Sequence, residues 1–94
     1  MAEFTVVDNS ERSRYELRTG DEVAGFVRYV RHPDRLDLVH TEVLPAFEGK
    51  GLAGRLVSGI LKDVRAQGGR IVPSCPFVAS YLKKHPEHAD LAVG

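Results

Sequence analysis

Val43-Leu44-Pro45-Ala46-Phe47-Glu48-Gly49-Lys50-Gly51-Leu52-Ala53-Gly54 decides the fold of this chain. It reads as a strand end, a short turn, a glycine-rich loop and the start of a helix. Gly49 and Gly51 remove side chains where the backbone must come close to something. From Leu52 onward the apolar residues Leu52, Leu56, Val57, Ile60, Leu61 and Val64 follow a helical period. The unpaired N–H groups of that helix point back into the loop. Such a loop is an anion cradle, and the usual anion is a phosphate. The plain alternative is a strand-to-helix turn whose glycines only allow tight packing.

Three kinds of phosphate loop compete for this stretch. Gly49-x-Gly51-x-x-Gly54 has the spacing of the dinucleotide fingerprint. That fingerprint also requires an acid about 20 residues on, to hold a ribose. Ile71-Val72-Pro73-Ser74-Cys75 offers no carboxylate there. The Walker loop fails because no Gly-Lys is followed by Ser or Thr. The third kind, the coenzyme A pyrophosphate loop, is known by a family pattern and not by spacing alone.

Composition narrows the class. The 94 residues make one small domain, spanning 1–94. The single cysteine excludes an internal disulfide, so no oxidising compartment is needed. The first residues, Met1 to Asp8, lack a basic segment and a long apolar core. The expectation is a cytoplasmic protein with no membrane partner. The net charge of zero argues against nucleic-acid binding. Its distribution is uneven. Residues 49–84 hold seven basic residues against Asp63 alone, and residues 1–48 hold six against ten acids. The basic half opens at the glycine loop, as a polyphosphate cofactor would require, and the acidic half suits an amine. His32, His85, His88 and Cys75 match no zinc spacing, so no metal is expected.

Along the chain, Phe4–Val7, Arg14–Arg18, Glu22–Arg31 and Leu36–Val43 read as four strands. The third is apolar on both faces and so central. Asp8–Glu11, Thr19-Gly20-Asp21 and His32-Pro33-Asp34 are turns. An amphipathic helix runs from Leu52 to Gln67 and stops at Gly68-Gly69. Arg70–Pro73 is a fifth strand, parallel to the fourth through that crossover. Ser74 is the expected N-cap of a second helix, Cys75–Lys84, which Pro86 ends. The tail after it has room for one more turn. The order β-β-β-β-α-β-α describes an α+β fold with a mixed, mostly antiparallel sheet of about five strands and two main helices.

The chain resembles the short single-domain GNAT-like N-acetyltransferases. Three separated motifs carry the likeness: His40-Thr41-Glu42-Val43 with Leu44-Pro45 before the loop, Glu48-Gly49-Lys50-Gly51-Leu52-Ala53 in it, and Cys75-Pro76-Phe77-Val78 after the fifth strand. His85-Pro86-Glu87 extends it, and the match runs from about Glu22 to Asp90. Glu48 departs from the Gln or Arg usual at its place. The resemblance implies a minimal GNAT fold, acetyl-CoA as cofactor and acetyl transfer to an amine acceptor, small or on a protein or peptide. It places the pyrophosphate on the backbone from Glu48 to Gly54, with Lys50 and Arg55 beside it. It places the pantetheine along the backbone of Val43 and Leu44, and implies direct transfer without an acyl-enzyme. Tyr81, seven residues after Ser74, stands where many relatives have a tyrosine that protonates the departing thiolate. Ser74 itself replaces the Asn usual at that place.

The chemistry needs a group to deprotonate the amine and donors for developing charge. His40 and Glu42 lie two apart on one strand and so share a face. Either is a candidate base; His40 has the alternative of a hydrogen-bonded histidine that braces the strand, and Glu42 that of a salt-bridge partner. Cys75 at a helix start is a candidate low-pKa thiol, a nucleophile or a neighbour of the cofactor sulfur, or a small buried residue filling space. Tyr81 also sits four after Phe77, so a core stripe explains it as well. The rival function is a CoA-binding module without turnover. The sequence leaves a monomer and a weak homodimer both open.

Overall fold

The computed structural model describes residues 3–93. Strands β1 (Thr5–Asn9), β2 (Arg14–Thr19), β3 (Glu22–Arg31) and β4 (Leu36–Val43) are followed by α1 (Leu52–Ala66), β5 (Ile71–Val72) and α2 (Pro76–Lys84). Short 3-10 turns cover Ser10–Arg12 and Pro45–Phe47, and a longer one, Pro86–Leu91, is the extra turn expected of the tail. The expected α+β architecture and element order are therefore those observed.

The five strands lie in sequence order, antiparallel from β1 to β4 and parallel between β4 and β5. β3 is the middle strand, which accounts for its apolar residues on both faces. After the last 3-10 turn the chain returns to β5, where the Val93 N–H donates to the Ile71 carbonyl at 2.8 Å.

Helix α1 buries Leu52, Leu56, Val57, Ile60, Leu61 and Val64 in one stripe against the sheet. Each fully buried side chain of this kind contributes about 1.5–3 kcal/mol before entropy is counted. Val78 and Leu82 of α2 join the same cluster with Tyr15, Leu17, Val27, Tyr29, Leu36 and Leu38. The core thus fills one face of the sheet. Gly59 lets α1 approach β1, because a Cβ there would lie 2.4 Å from a Val6 methyl.

Two bulges shape the sheet. Leu17 pairs with Gly25 and Arg18 with Val23, leaving Ala24 as the extra residue of β3. Arg28 pairs with His40 and Tyr29 with Leu38, leaving Val39 as the extra residue of β4. The second bulge has a direct consequence. Leu36 and Leu38 face the core, and an unbroken period of two would put His40 and Glu42 there as well. With Val39 inserted, Thr41 and Val43 turn toward the core and His40 and Glu42 turn out.

One expectation needs correction here. Cys75, not Ser74, is the N-cap of α2, and no side chain caps that helix. The Ser74 hydroxyl donates to Asp37 of β4 at 2.5 Å instead. Among the described residues, no helix is long and apolar enough to cross a membrane.

Candidate functional site

β4 is paired along its whole length with β3, from Arg31–Leu36 to Gly25–Val43. With β5 it pairs only at Leu36–Ile71 and Asp37–Val72. The Cys75 N–H adds one more bond, to the Leu38 carbonyl at 2.8 Å. Beyond that point the chain turns into α2, and β4 from His40 onward has an open edge. The Leu44 N–H donates to the Ala24 carbonyl on the β3 side. Alternation along the strand then aims the backbone of Thr41 and Val43 at the open edge. The Val43 backbone is available there. The Leu44 backbone is not, which corrects the expectation for that residue: its N–H is held by Ala24 and its carbonyl accepts from Phe47 at 2.8 Å.

The glycine loop follows immediately. Gly49 (φ +81°) and Gly51 (φ +69°) are both left-handed, a conformation that costs other residues strain. A Cβ at either would meet nothing within 4 Å, so the space before the loop is open. Gly51 is the N-cap of α1, and it has no side chain to satisfy the first amides of the helix. No acid occupies the first turn of α1; Arg55 does. Lys50 and Arg55 stand at the positive end of the helix dipole, where cations are unfavourable unless an anion joins them. The Arg55 guanidinium lies over the Phe4 ring at 5.3 Å and Lys50 Nζ over Phe47 at 6.0 Å. Uncapped amides, open space and two cations fit a pyrophosphate. Glu48, Leu52, Ala53 and Gly54 complete the loop, and Glu48 is exposed. An open cleft of about 530 Å³ continues past it, lined by Phe4, Gly51, Gly54, Arg55, Tyr81 and His85.

Cys75 sits at the point where β4 and β5 part. It is 5% exposed, and its Sγ lies 3.3 Å from the Thr41 hydroxyl. Burial pushes the thiol pKa up. The Thr41 hydroxyl and the amides of Val78, Phe77 and Thr41 outweigh that burial and hold it below the ordinary cysteine value. His40 and Glu42 are on the other side of β4, half exposed, with Nε2 3.3 Å from Oε1. The strand therefore separates the thiol from the His-Glu pair, although all three lie at the open edge. Tyr81 stands apart from both: its ring stacks on His85 at 4.1 Å and its edge lies 3.8 Å from where a Gly54 Cβ would be. The Ser74 hydroxyl is held by Asp37.

Sequence reasoning missed Glu16. It is 1% exposed on the uncovered sheet face and is gripped by Arg14 at 2.8 Å, Arg18 and Asn9. Burial raises its pKa, but hydrogen bonds from Arg18, Arg14 and Asn9 outweigh this and lower it. Only the spacing Arg14-x-Glu16-x-Arg18 hinted at the cluster.

Comparison with known proteins identifies the frame. The family of GCN5-related N-acetyl-transferases matches residues 14–91, and the chain belongs to it. A GCN5-like proposed N-acetyltransferase from Staphylococcus aureus, solved in solution by NMR, has the same fold. It superposes with a TM-score of 0.70 at 20% identity, over 100% of this chain and 92% of that one. A search of curated proteins finds no match.

Proposed function

Starting from membership of the GCN5-related N-acetyltransferase family, we propose that this chain transfers an acetyl group from acetyl-CoA directly to an amine, without an acyl-enzyme. The observation that carries this reading is the uncapped start of α1 behind two left-handed glycines, opening beside the free edge of β4. Bound acetyl-CoA would supply the activated acetyl thioester.

The chain's own residues divide the remaining work. The backbone from Glu48 to Gly54 holds the pyrophosphate, with Lys50 and Arg55 offsetting its charge. The open-edge backbone of Val43 receives the pantetheine amide as an added strand would. Glu42, hydrogen-bonded to His40, removes a proton from the acceptor ammonium directly or through a water. Cys75 lines the thioester end; its thiol is engaged by Thr41 and is not needed as a nucleophile. Tyr81, on α2 beside Gly54 at the start of α1, is the candidate acid for the leaving thiolate. The setting is cytoplasmic.

The test is release of free thiol from acetyl-CoA in the presence of small amines, amino acids and lysine peptides. Amine-dependent release, with the acetylated product seen by mass spectrometry, is the expected result. Tight CoA binding with no release for any amine would make the chain a CoA-binding module instead. Cys75→Ala should retain activity within a few-fold. An inactive Cys75→Ala together with an acetyl adduct on the wild-type thiol would replace direct transfer by an acyl-enzyme route.

A further inference from the structure

The face of the sheet turned away from the helices is uncovered, and its charges follow an order that folding does not explain. Register places Arg14, Arg28 and His40 directly opposite one another across β2, β3 and β4. The next row is Glu16, Phe26 and Glu42. Like charges directly opposite one another destabilise a sheet. Arg14 is compensated, since it binds Glu16 at 2.8 Å and lies 4.5 Å over the Phe26 ring. Arg28 is not. It is exposed and, among the described residues, makes no ion pair and no side-chain hydrogen bond. An unpaired guanidinium between two other basic groups is a free site for an anion.

Glu42 is the diagonal neighbour of Arg28 on the same face, with Phe26 beside both as a floor that is 8% exposed. Diagonal positions on one face are about 7–8 Å apart, and closer than that at Cβ, within joint reach of these long side chains. No salt bridge joins Arg28 and Glu42. The result is a negative group that attracts an ammonium next to a positive group that attracts a carboxylate.

We propose that the acceptor is a free amino-carboxylate, bound on the open sheet face with its ammonium at Glu42 and His40 and its carboxylate on the fork of Arg28. This rests on the acetyl-transfer reading above and specifies its substrate class. Arg28 is a specificity-determining residue. A planar guanidinium suits a carboxylate better than a point charge does, and a site built for such a partner rejects the analogue that lacks it.

The test compares 4-aminobutyrate with 4-amino-1-butanol, amines of similar basicity that differ in the anion. The wild-type kcat/KM should favour the carboxylate by about tenfold or more. Arg28→Gln should collapse that ratio toward one, and Arg28→Lys should retain part of it. Arg35→Gln, at the far hairpin, should leave the ratio unchanged. A second arm needs no turnover: amide NMR of the CoA-loaded protein titrated with each compound. 4-Aminobutyrate should shift the amides around Phe26, Arg28 and His40, and the alcohol should not. If those shifts appear and no amine is acetylated, the amino-carboxylate site stands and acetyl transfer falls. If both amines are acetylated equally well, or a lysine peptide is strongly preferred, the inference is overturned and acetyl transfer stands. If neither compound shifts that face, the inference is overturned whatever the activity.

Discussion

The two edges of β4 are held very differently. Toward β3 the strand is paired from Leu36 to Val43. Toward β5 the pairing stops after Asp37, and the Cys75 amide closes it at Leu38. The β3 edge is where stability is concentrated: Gly25 sits so close that a Cβ there would lie 2.7 Å from the Glu42 carbonyl. The β5 edge is where a ligand has room, between the Thr41–Val43 backbone and the glycine loop. One strand is thus fully paired on one side and open on the other. Changes on the two sides should separate binding from folding.

The largest effect is expected on the open side. Gly51→Glu puts a carboxylate and a strained φ of +69° into the loop. CoA affinity measured by calorimetry should fall by about 100-fold or more, roughly 2.7 kcal/mol. The strain costs about 1–3 kcal/mol, which lowers the melting temperature without unfolding the domain. Unchanged affinity in the folded variant would move the cofactor site elsewhere.

On the closed side the effect should fall on stability. Gly25→Ala forces the backbone of β4 away from β3, at a cost of about 1–3 kcal/mol by thermal melting. A variant as stable as the wild type would mean that the two strands are not held as closely as they stand here.

Smaller effects should follow from charge and titration. Replacing Lys50 or Arg55 by Gln should weaken CoA binding several-fold and flatten its salt dependence, because exposed charges are screened over about 10 Å at moderate ionic strength. A salt-independent affinity would make these cations a solvated surface. The Cys75 thiol, with its pKa lowered by the Thr41 hydroxyl and nearby amides against the opposing effect of burial, should alkylate with a pH midpoint below that of free cysteine. The thiolate is the reacting form, so the shift is toward lower pH, and bound CoA should suppress the reaction. A midpoint at or above the free value would mean that burial wins.

Much of this was legible in the chain. The helical period from Leu52, the stop at Gly68 and the turn at Pro33 each rest on local chemistry, and each stands where that chemistry puts it. The glycine loop was legible as a turn because Gly49 and Gly51 supply its two left-handed residues. The rest depends on partners distant in sequence. The bulge at Val39 exists only relative to β3, so strict alternation could not show that His40 and Glu42 leave the face of Leu38. Ser74 looked like a helix cap because its partner, Asp37, is 37 residues away. Leu44 looked free because the Ala24 carbonyl that binds it belongs to another strand. Glu16 had no reading of its own, because its burial depends on Arg14, Arg18 and Asn9 closing over it.

Acetyl transfer as proposed requires coenzyme A to lie along the open edge of β4 with its pyrophosphate on the glycine loop. Amide NMR of the whole chain titrated with CoA tests it most directly. The largest shifts are expected at Gly49, Lys50, Gly51, Leu52, Ala53 and Gly54, followed by Thr41, Val43 and Cys75, with β1 and the Pro33 hairpin unmoved. Shifts centred on the cleft of Arg31, Arg35 and Arg70 at the opposite end of β4, with the glycine loop silent, would contradict it.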